Sequence, residues 1–275
     1  MQRALHPWNH QFTWEDHTVA PTTITREQMA QYDRDGYFVF EDAFDAATLE
    51  RLDAELVPGD EGVKEFLAQM PGGRYSVAGL DTQTVAPHAV TRSDYAREFV
   101  GNAVLAGIAR DLVGPNVRLY WEQSVYKQPH SAEPVLWHQD NGYTYTEPQA
   151  YLTCWIAITD ATLENGCVSV MPGVHRDGTL AHRNTPVGEE CWGDWETAVD
   201  VPIRAGSIVV FTSLTPHATK RNTTDDVRKA YIVQYAPDGA VAHFGDANAG
   251  PPERTEVLAD ERRFWIVRDN ELANA

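Results

Sequence analysis

Residues 134–140 read Pro134-Val135-Leu136-Trp137-His138-Gln139-Asp140. On an extended strand side chains alternate with period 2, so His138 and Asp140 project to the same side. An imidazole and a carboxylate offered together can hold two adjacent positions of a metal. A third ligand from elsewhere would complete a 2-His-1-carboxylate set, which leaves coordination positions open on non-haem Fe(II). A His-x-Asp tripeptide also arises by chance in many chains, so the rest of the sequence has to supply the third ligand.

Outward from this run the chain is rich in β-type segments. Val117–Lys127, Tyr151–Thr159, Cys167–Met171, Val199–Ile203, Ser207–Thr212 and Ala230–Tyr235 read as strands with turn residues between them. Asn165-Gly166 is a hairpin signal, and Pro172-Gly173 suits the centre of a type II turn. The first part of the chain reads differently. Residues 1–24 form an irregular arm, and Thr25 with Gln28 makes a capping box for a helix to about Arg34. Tyr37–Phe40 is a short strand, and Asp45 caps a helix carrying Leu49, Leu52 and Leu56 up to Pro58. From Ser93 one longer helix is expected, with Phe99, Val104, Leu105, Ile108 and Leu112 on its apolar face and Gly114-Pro115 ending it. Residues 59–90 show no periodicity and read as a loop or flap, as do 176–198 with Trp192 and Trp195. Helices followed by many strands predict a mainly β fold with flanking α-helices, a double-stranded β-helix of the jelly-roll or cupin-like barrel kind. A single domain is expected over 1–275, helical from about 25 to 114 and with barrel strands from about 117 to 237.

Composition narrows the partners. The 22 Lys+Arg against 40 Asp+Glu give 22 − 40 = −18, which argues against nucleic acid or an anionic membrane surface. A small-molecule substrate is expected, with the chain a monomer or homodimer. Cys154, Cys167 and Cys191 are odd in number and lack metal-site spacing, in keeping with a reducing compartment. The start of the sequence has no signal-like apolar stretch, and a cytoplasmic location is expected.

The third ligand is found downstream. The strand Ser207–Phe211 runs into Thr212-Ser213-Leu214-Thr215-Pro216-His217, which places a histidine just past a buried strand. Eleven residues on, Arg228 opens the next strand, and its planar fork suits a carboxylate. His130, His175, His182 and His243 lack this combination of preceding strand and following arginine. A metal triad with one deep arginine calls for a dicarboxylic co-substrate that chelates the metal at its other end.

Taken together, His138-Gln139-Asp140, Trp155, Glu164-Asn165-Gly166-Cys167, Met171-Pro172-Gly173-Val174-His175, His217 and Arg228 resemble the phytanoyl-CoA dioxygenase family of Fe(II)/2-oxoglutarate-dependent oxygenases. The resemblance runs from about Thr25 to Pro237. It implies that His138, Asp140 and His217 bind Fe(II) and that Arg228 binds the distal carboxylate of 2-oxoglutarate, with O2 as the second co-substrate. It further implies that Trp155 lines the co-substrate pocket, that the Thr219 hydroxyl helps Arg228, and that Lys127 lies near the co-substrate. Thr153 shares a strand face with Trp155 and is a further hydroxyl candidate. Because Asp140 is a carboxylate, the resemblance points to oxidation of a C–H bond rather than halogenation, with release of succinate and CO2.

Other readings stay open from the residues alone. Without the resemblance, Trp155 reads as core, and Thr153 and Thr219 as ordinary strand residues. Arg228 has Asp225 and Asp226 as alternative surface partners. Trp137, Tyr143 and Tyr145 flank the ligand pair and are candidates for the substrate side or for packing. A non-catalytic ligand-binding barrel, or the same machinery turned to desaturation, epoxidation or epimerisation, fits the same residues. The family's acyl-CoA is a poor match for this charge, so a small metabolite or natural-product intermediate is the expected substrate.

Overall fold

Thr25 caps the helix Arg26–Asp35 as expected: its hydroxyl accepts from the Gln28 N–H, and the Gln28 amide oxygen accepts from the Thr25 N–H. The computed structural model in which this is seen describes residues 2–273. Asp45 caps the next helix, but that helix runs Ala46–Ala68, straight through Pro58. Proline removes the N–H that would meet the carbonyl of Ala54. Both residues are exposed, so water can meet that carbonyl, while the buried stripe Leu52, Leu56, Asp60 and Leu67 continues past them. Asp60 is held by the Thr84 hydroxyl and by Lys64 at 2.7 Å.

Two further expectations change. The single helix after Ser93 is two, Asp94–Val100 and Ala103–Leu112, because the Asn102 side chain accepts from the N–H groups of Val104 and Leu105 and starts a new helix. Residues 59–90 are not a loop. They supply the last turns of the second helix and the strands Arg74–Tyr75, Ala78–Gly79 and Gln83–Pro87.

The main sheet orders its strands 37–40, 208–212, 152–157, 228–237, 117–127, 83–87, 78–79 and 74–75, with 265–268 also beside 117–127. A smaller sheet orders 199–201, 168–170, 217–219 and 135–138. The two sheets pack face to face, since Trp155, Val209 and Phe211 of the first share one apolar cluster with Val168 and Val170 of the second. The jelly-roll expectation holds, though the ladder does not close into a barrel: side chains, not backbone bonds, join the sheets. Asn165-Gly166 therefore joins strands of different sheets (152–157 and 168–170) and is no hairpin between neighbours. The helices cover the outer face of the main sheet, where Leu52, Leu56, Phe99 and Ile108 meet Leu152, Cys154, Ile156, Val210, Tyr231 and Val233.

Period-2 alternation assigns the opposite face to the interior of the sandwich. Register then sets which residues stand side by side. Phe211, Thr153, Gln234 and Trp121 form one row across four strands, and Val209, Trp155, Ile232 and Gln123 another. Arg228, Lys127 and Gln83 form a third, nearer the start of the strand Arg228–Pro237. Among the described residues no helix is long and apolar enough to cross a membrane.

Gly36 ties the first strand to this scaffold. It sits at φ +83°, and its carbonyl accepts from the Thr212 N–H and the Thr215 hydroxyl. A Cβ there would lie 2.5 Å from Thr215 Oγ1 and 2.6 Å from His175 Nδ1. Gly36→Ala is expected to lower the unfolding free energy by about 2 kcal/mol or more. Gly62→Ala, in an exposed helical position with nothing within 4 Å of the added carbon, is expected to raise it by about 0.5 kcal/mol. Urea denaturation of the two variants checks both signs.

Candidate functional site

His138 ends the strand Val135–His138, Gln139 stays extended, and Asp140 opens a single helical turn, Asp140–Tyr143. Asp140 is thus just beyond the strand rather than on it, yet it remains on the His138 side. His217 opens its own strand directly opposite His138 in the antiparallel register. Adjacent strands bring the imidazole centroids to 4.1 Å, and His217 Nε2 lies 3.8 Å from Asp140 Oδ1. One ligand atom from each of His138, Asp140 and His217 falls within 4.8 Å of the others.

Each ligand has its second polar atom occupied. His138 Nδ1 bonds the carbonyl of Leu136 at 2.7 Å, and His217 Nδ1 bonds that of Thr215 at 3.0 Å. A carbonyl can only accept, so both Nδ1 atoms carry the proton and both Nε2 lone pairs are free. The Thr153 hydroxyl donates to Asp140 Oδ2 at 2.6 Å, which leaves Oδ1 free, and the Gln234 amide lies 3.3 Å behind that hydroxyl. Burial and the neighbouring His217 push the pKa of His138 well below the usual histidine range, so its imidazole is neutral as a ligand must be. Two imidazole nitrogens and one carboxylate oxygen converging on one point suit a divalent transition metal.

Arg228 is 1 % exposed, with Nε and Nη1 unbonded, and none of the ion pairs among the described residues includes it. Its guanidinium lies 5.0 Å from the centre of the Trp155 ring. Burial pushes its pKa down to about 10, which still leaves it protonated at neutral pH. Asp225 and Asp226 are exposed and do not reach it. A buried cation with free donors is costly unless an anion meets it. His138, Asp140, His217, Thr153, Trp155, Thr219 and Arg228 all line one cavity of about 560 Å³ between the sheets.

Lys127 stands across the ladder from Arg228 but does not line this cavity. Its Nζ donates to Thr219 Oγ1 at 2.6 Å and to the Lys220 carbonyl at 2.5 Å, so it acts on the pocket only by holding Thr219. Burial and the adjacent Arg228 lower its pKa well below the usual lysine range. Of the three aromatic candidates, Tyr143 lines the cavity with its ring 5.4 Å from His138. Trp137 and Tyr145 do not. Alternation turns Trp137 to the other face of the ligand strand, where it packs on Trp195 at 4.6 Å. Tyr145 stacks on His6 at 4.6 Å beneath the N-terminal arm.

Several contributors were not singled out from the sequence. Gln139 is fully buried between the ligands. Its amide donates to the carbonyls of Gly178 and Leu214, and its oxygen accepts from the Leu180 N–H. Its backbone N–H donates to His182 Nε2 at 3.0 Å, an imidazole that burial holds down to about 4 and so keeps as an acceptor. Gln83, Trp121, Gln123, Phe244 and Arg263 also line the cavity. Only the alternation of Trp121 and Gln123 along Val117–Lys127 offered a signal for any of these.

The family model described as phytanoyl-CoA dioxygenase (PhyH) matches residues 32–230. Phytanoyl-CoA dioxygenase domain-containing protein 1 of Bos taurus is 36% identical over 118 residues, covering 39% of this chain and 40% of that protein. The chain thus spans about two fifths of the length of the first curated relatives it matches. A methylphosphonate hydroxylase of Gimesia maris is 29% identical over 258 residues, 90% of each chain. Among solved structures, the non-haem alpha-ketoglutarate-dependent carbocyclase SnoK from nogalamycin biosynthesis superposes with a TM-score of 0.69 and 26% identity, over 90% of this chain and 99% of that one.

The Gln139 amide links the His138–Asp140 segment to Leu214, three residues before His217, and so fixes the spacing of the candidate triad. Gln139→Leu is expected to weaken Co(II) binding roughly 10- to 100-fold. Titration of the visible Co(II) absorption reads this, with far-UV circular dichroism to establish that the variant is folded.

Proposed function

The chain belongs to the phytanoyl-CoA dioxygenase family, and on that premise we propose that it is an Fe(II)- and 2-oxoglutarate-dependent oxygenase that oxidises a C–H bond of a small organic molecule. The observation that carries this reading is the pairing of two features in one cavity: a His-Asp-His triad with free ligand atoms, and a buried, unpaired guanidinium. A binding protein gains nothing from keeping both.

His138, Asp140 and His217 would hold the metal through Nε2, Oδ1 and Nε2, and Arg228 with Thr219 would receive the far carboxylate of 2-oxoglutarate. Bound there, the iron and 2-oxoglutarate supply the oxidising chemistry, consuming O2 and releasing succinate and CO2. The side chains set the geometry. Thr153 keeps Asp140 to one free oxygen, Lys127 holds Thr219 toward the cavity, and Trp155 backs the guanidinium. Phe211, whose ring is 4.6 Å from that of His217, and Val168 exclude water from the inner end. We read the chain as one domain, because the cavity takes its lining from Ser76 through Arg263.

Anaerobic addition of Fe(II) and 2-oxoglutarate to the apo-protein is expected to produce the visible charge-transfer absorption of the chelate, and Asp140→Ala to abolish it. Arg228→Ala is expected to raise the 2-oxoglutarate dissociation constant by about 10- to 100-fold, the scale of a lost charge-assisted hydrogen bond. Wild-type co-substrate affinity in that variant would remove Arg228 from its role. Absence of the absorption in folded, metal-loaded protein would overturn the whole reading.

A further inference from the structure

Between relatives named for a phosphonate and for a large natural product, the walls of the cavity discriminate. Along the strand Arg228–Pro237, Arg228 and Gln234 are six residues apart, roughly 20 Å. Gln234 shares its row with Thr153, which bonds Asp140, and with Trp121 on the far side. The cavity therefore runs from Arg228, past the metal ligands, to an outer chamber beyond Gln234. At about 560 Å³ it has the size of sites that take drug-sized ligands, far more than a five-carbon dicarboxylate fills.

The outer chamber is walled by Tyr120, Trp121, Tyr143 and Phe244, each partly exposed. Two of their polar handles are taken up by the protein: Trp121 Nε1 donates to Gln123 at 3.0 Å, and Tyr120 Oη lies 3.4 Å from Thr146 Oγ1. What remains for a ligand is ring surface, in a chamber whose charged groups nearly cancel. Glu256 is paired with Arg254, whose guanidinium covers one face of Phe244 at 4.3 Å, and Arg263 is paired with Asp260 at 2.6 Å. Only Nε of Arg263 is buried without an acceptor. That is one hydrogen bond for a neutral oxygen, and no seat for a dianion.

Resting on the oxygenase reading above, we propose that the outer chamber takes an uncharged, ring-bearing substrate with an acceptor oxygen, and that Phe244 and Trp121 determine its selection. Phosphonates and CoA thioesters are excluded because the cations at this chamber among the described residues, Arg254 and Arg263, are each already paired with a carboxylate. Ring stacking supplies the affinity, and Arg263 Nε fixes the orientation of the oxygen.

The test uses Co(II)-loaded protein with saturating 2-oxoglutarate and three probes measured by calorimetry: 2-naphthol, naphthalene-2-sulfonate and methylphosphonate. We expect 2-naphthol to bind about tenfold more tightly than its sulfonate, and methylphosphonate not to bind. Phe244→Ala and Trp121→Leu are each expected to weaken 2-naphthol about tenfold while 2-oxoglutarate affinity stays as in the wild type. Tighter binding of either anion, or 2-naphthol affinity that ignores both substitutions or is absent, overturns the substrate class while leaving the oxygenase reading intact. Loss of 2-oxoglutarate binding in the wild type would overturn the oxygenase reading instead.

Discussion

Burying a guanidinium without a carboxylate beside it opposes folding, and Arg228 is buried in this way with a second basic group, Lys127, directly across the ladder. The chain spreads this cost over its neighbours. Lys127 discharges its donors on Thr219 and the Lys220 carbonyl, and the Trp155 ring offers Arg228 its π face at 5.0 Å. Neither contact supplies a negative charge. The arrangement becomes favourable once an anion enters, so a dicarboxylate binding there is linked to the stability of the sandwich itself.

The same economy of partners shapes the metal end. Backbone carbonyls two residues upstream orient both histidines, a threonine orients the aspartate, and a buried glutamine ties the ligand strand to the turn that precedes His217. None of these supporting atoms depends on a metal for its position. The N-terminal arm braces the other segment that Gln139 bonds, 178–180, from outside. Leu5 pairs with Leu180, and the Asn9 amide donates to the Asp177 and Thr179 carbonyls, on the segment that Gln139 grips from within. An irregular arm thus closes the back of the site, leaving its front to the outer chamber.

Much of the inner site was legible in the linear sequence, because its signals are local. His-x-Asp needs one strand end, His217 needs a buried strand and a proline before it, and Arg228 needs the strand that follows. Of the outer chamber only Tyr143 was legible. Its walls come from a strand at 117–127, a helical turn at 140–143 and a strand at 241–244, and no short-range pattern connects them. Residues 59–90 misled for the same reason. Arg74–Tyr75, Ala78–Gly79 and Gln83–Pro87 are strands because an edge of the main sheet is there to pair with.

The sequence by itself determined the β-rich class, both helix caps, the two halves of the metal triad and the arginine that follows them, since periodicity, capping chemistry and residue type act over a few positions. Tertiary structure decided which candidates share a space. Register put Thr153 on Asp140 and Lys127 behind Thr219, while the second face of a strand took Trp137 away from the cavity and the N-terminal arm covered Tyr145. The physical reason is the two-residue period of a strand. A sequence states that neighbouring side chains part company, and only the packing of one sheet on another tells which of them meets the cavity.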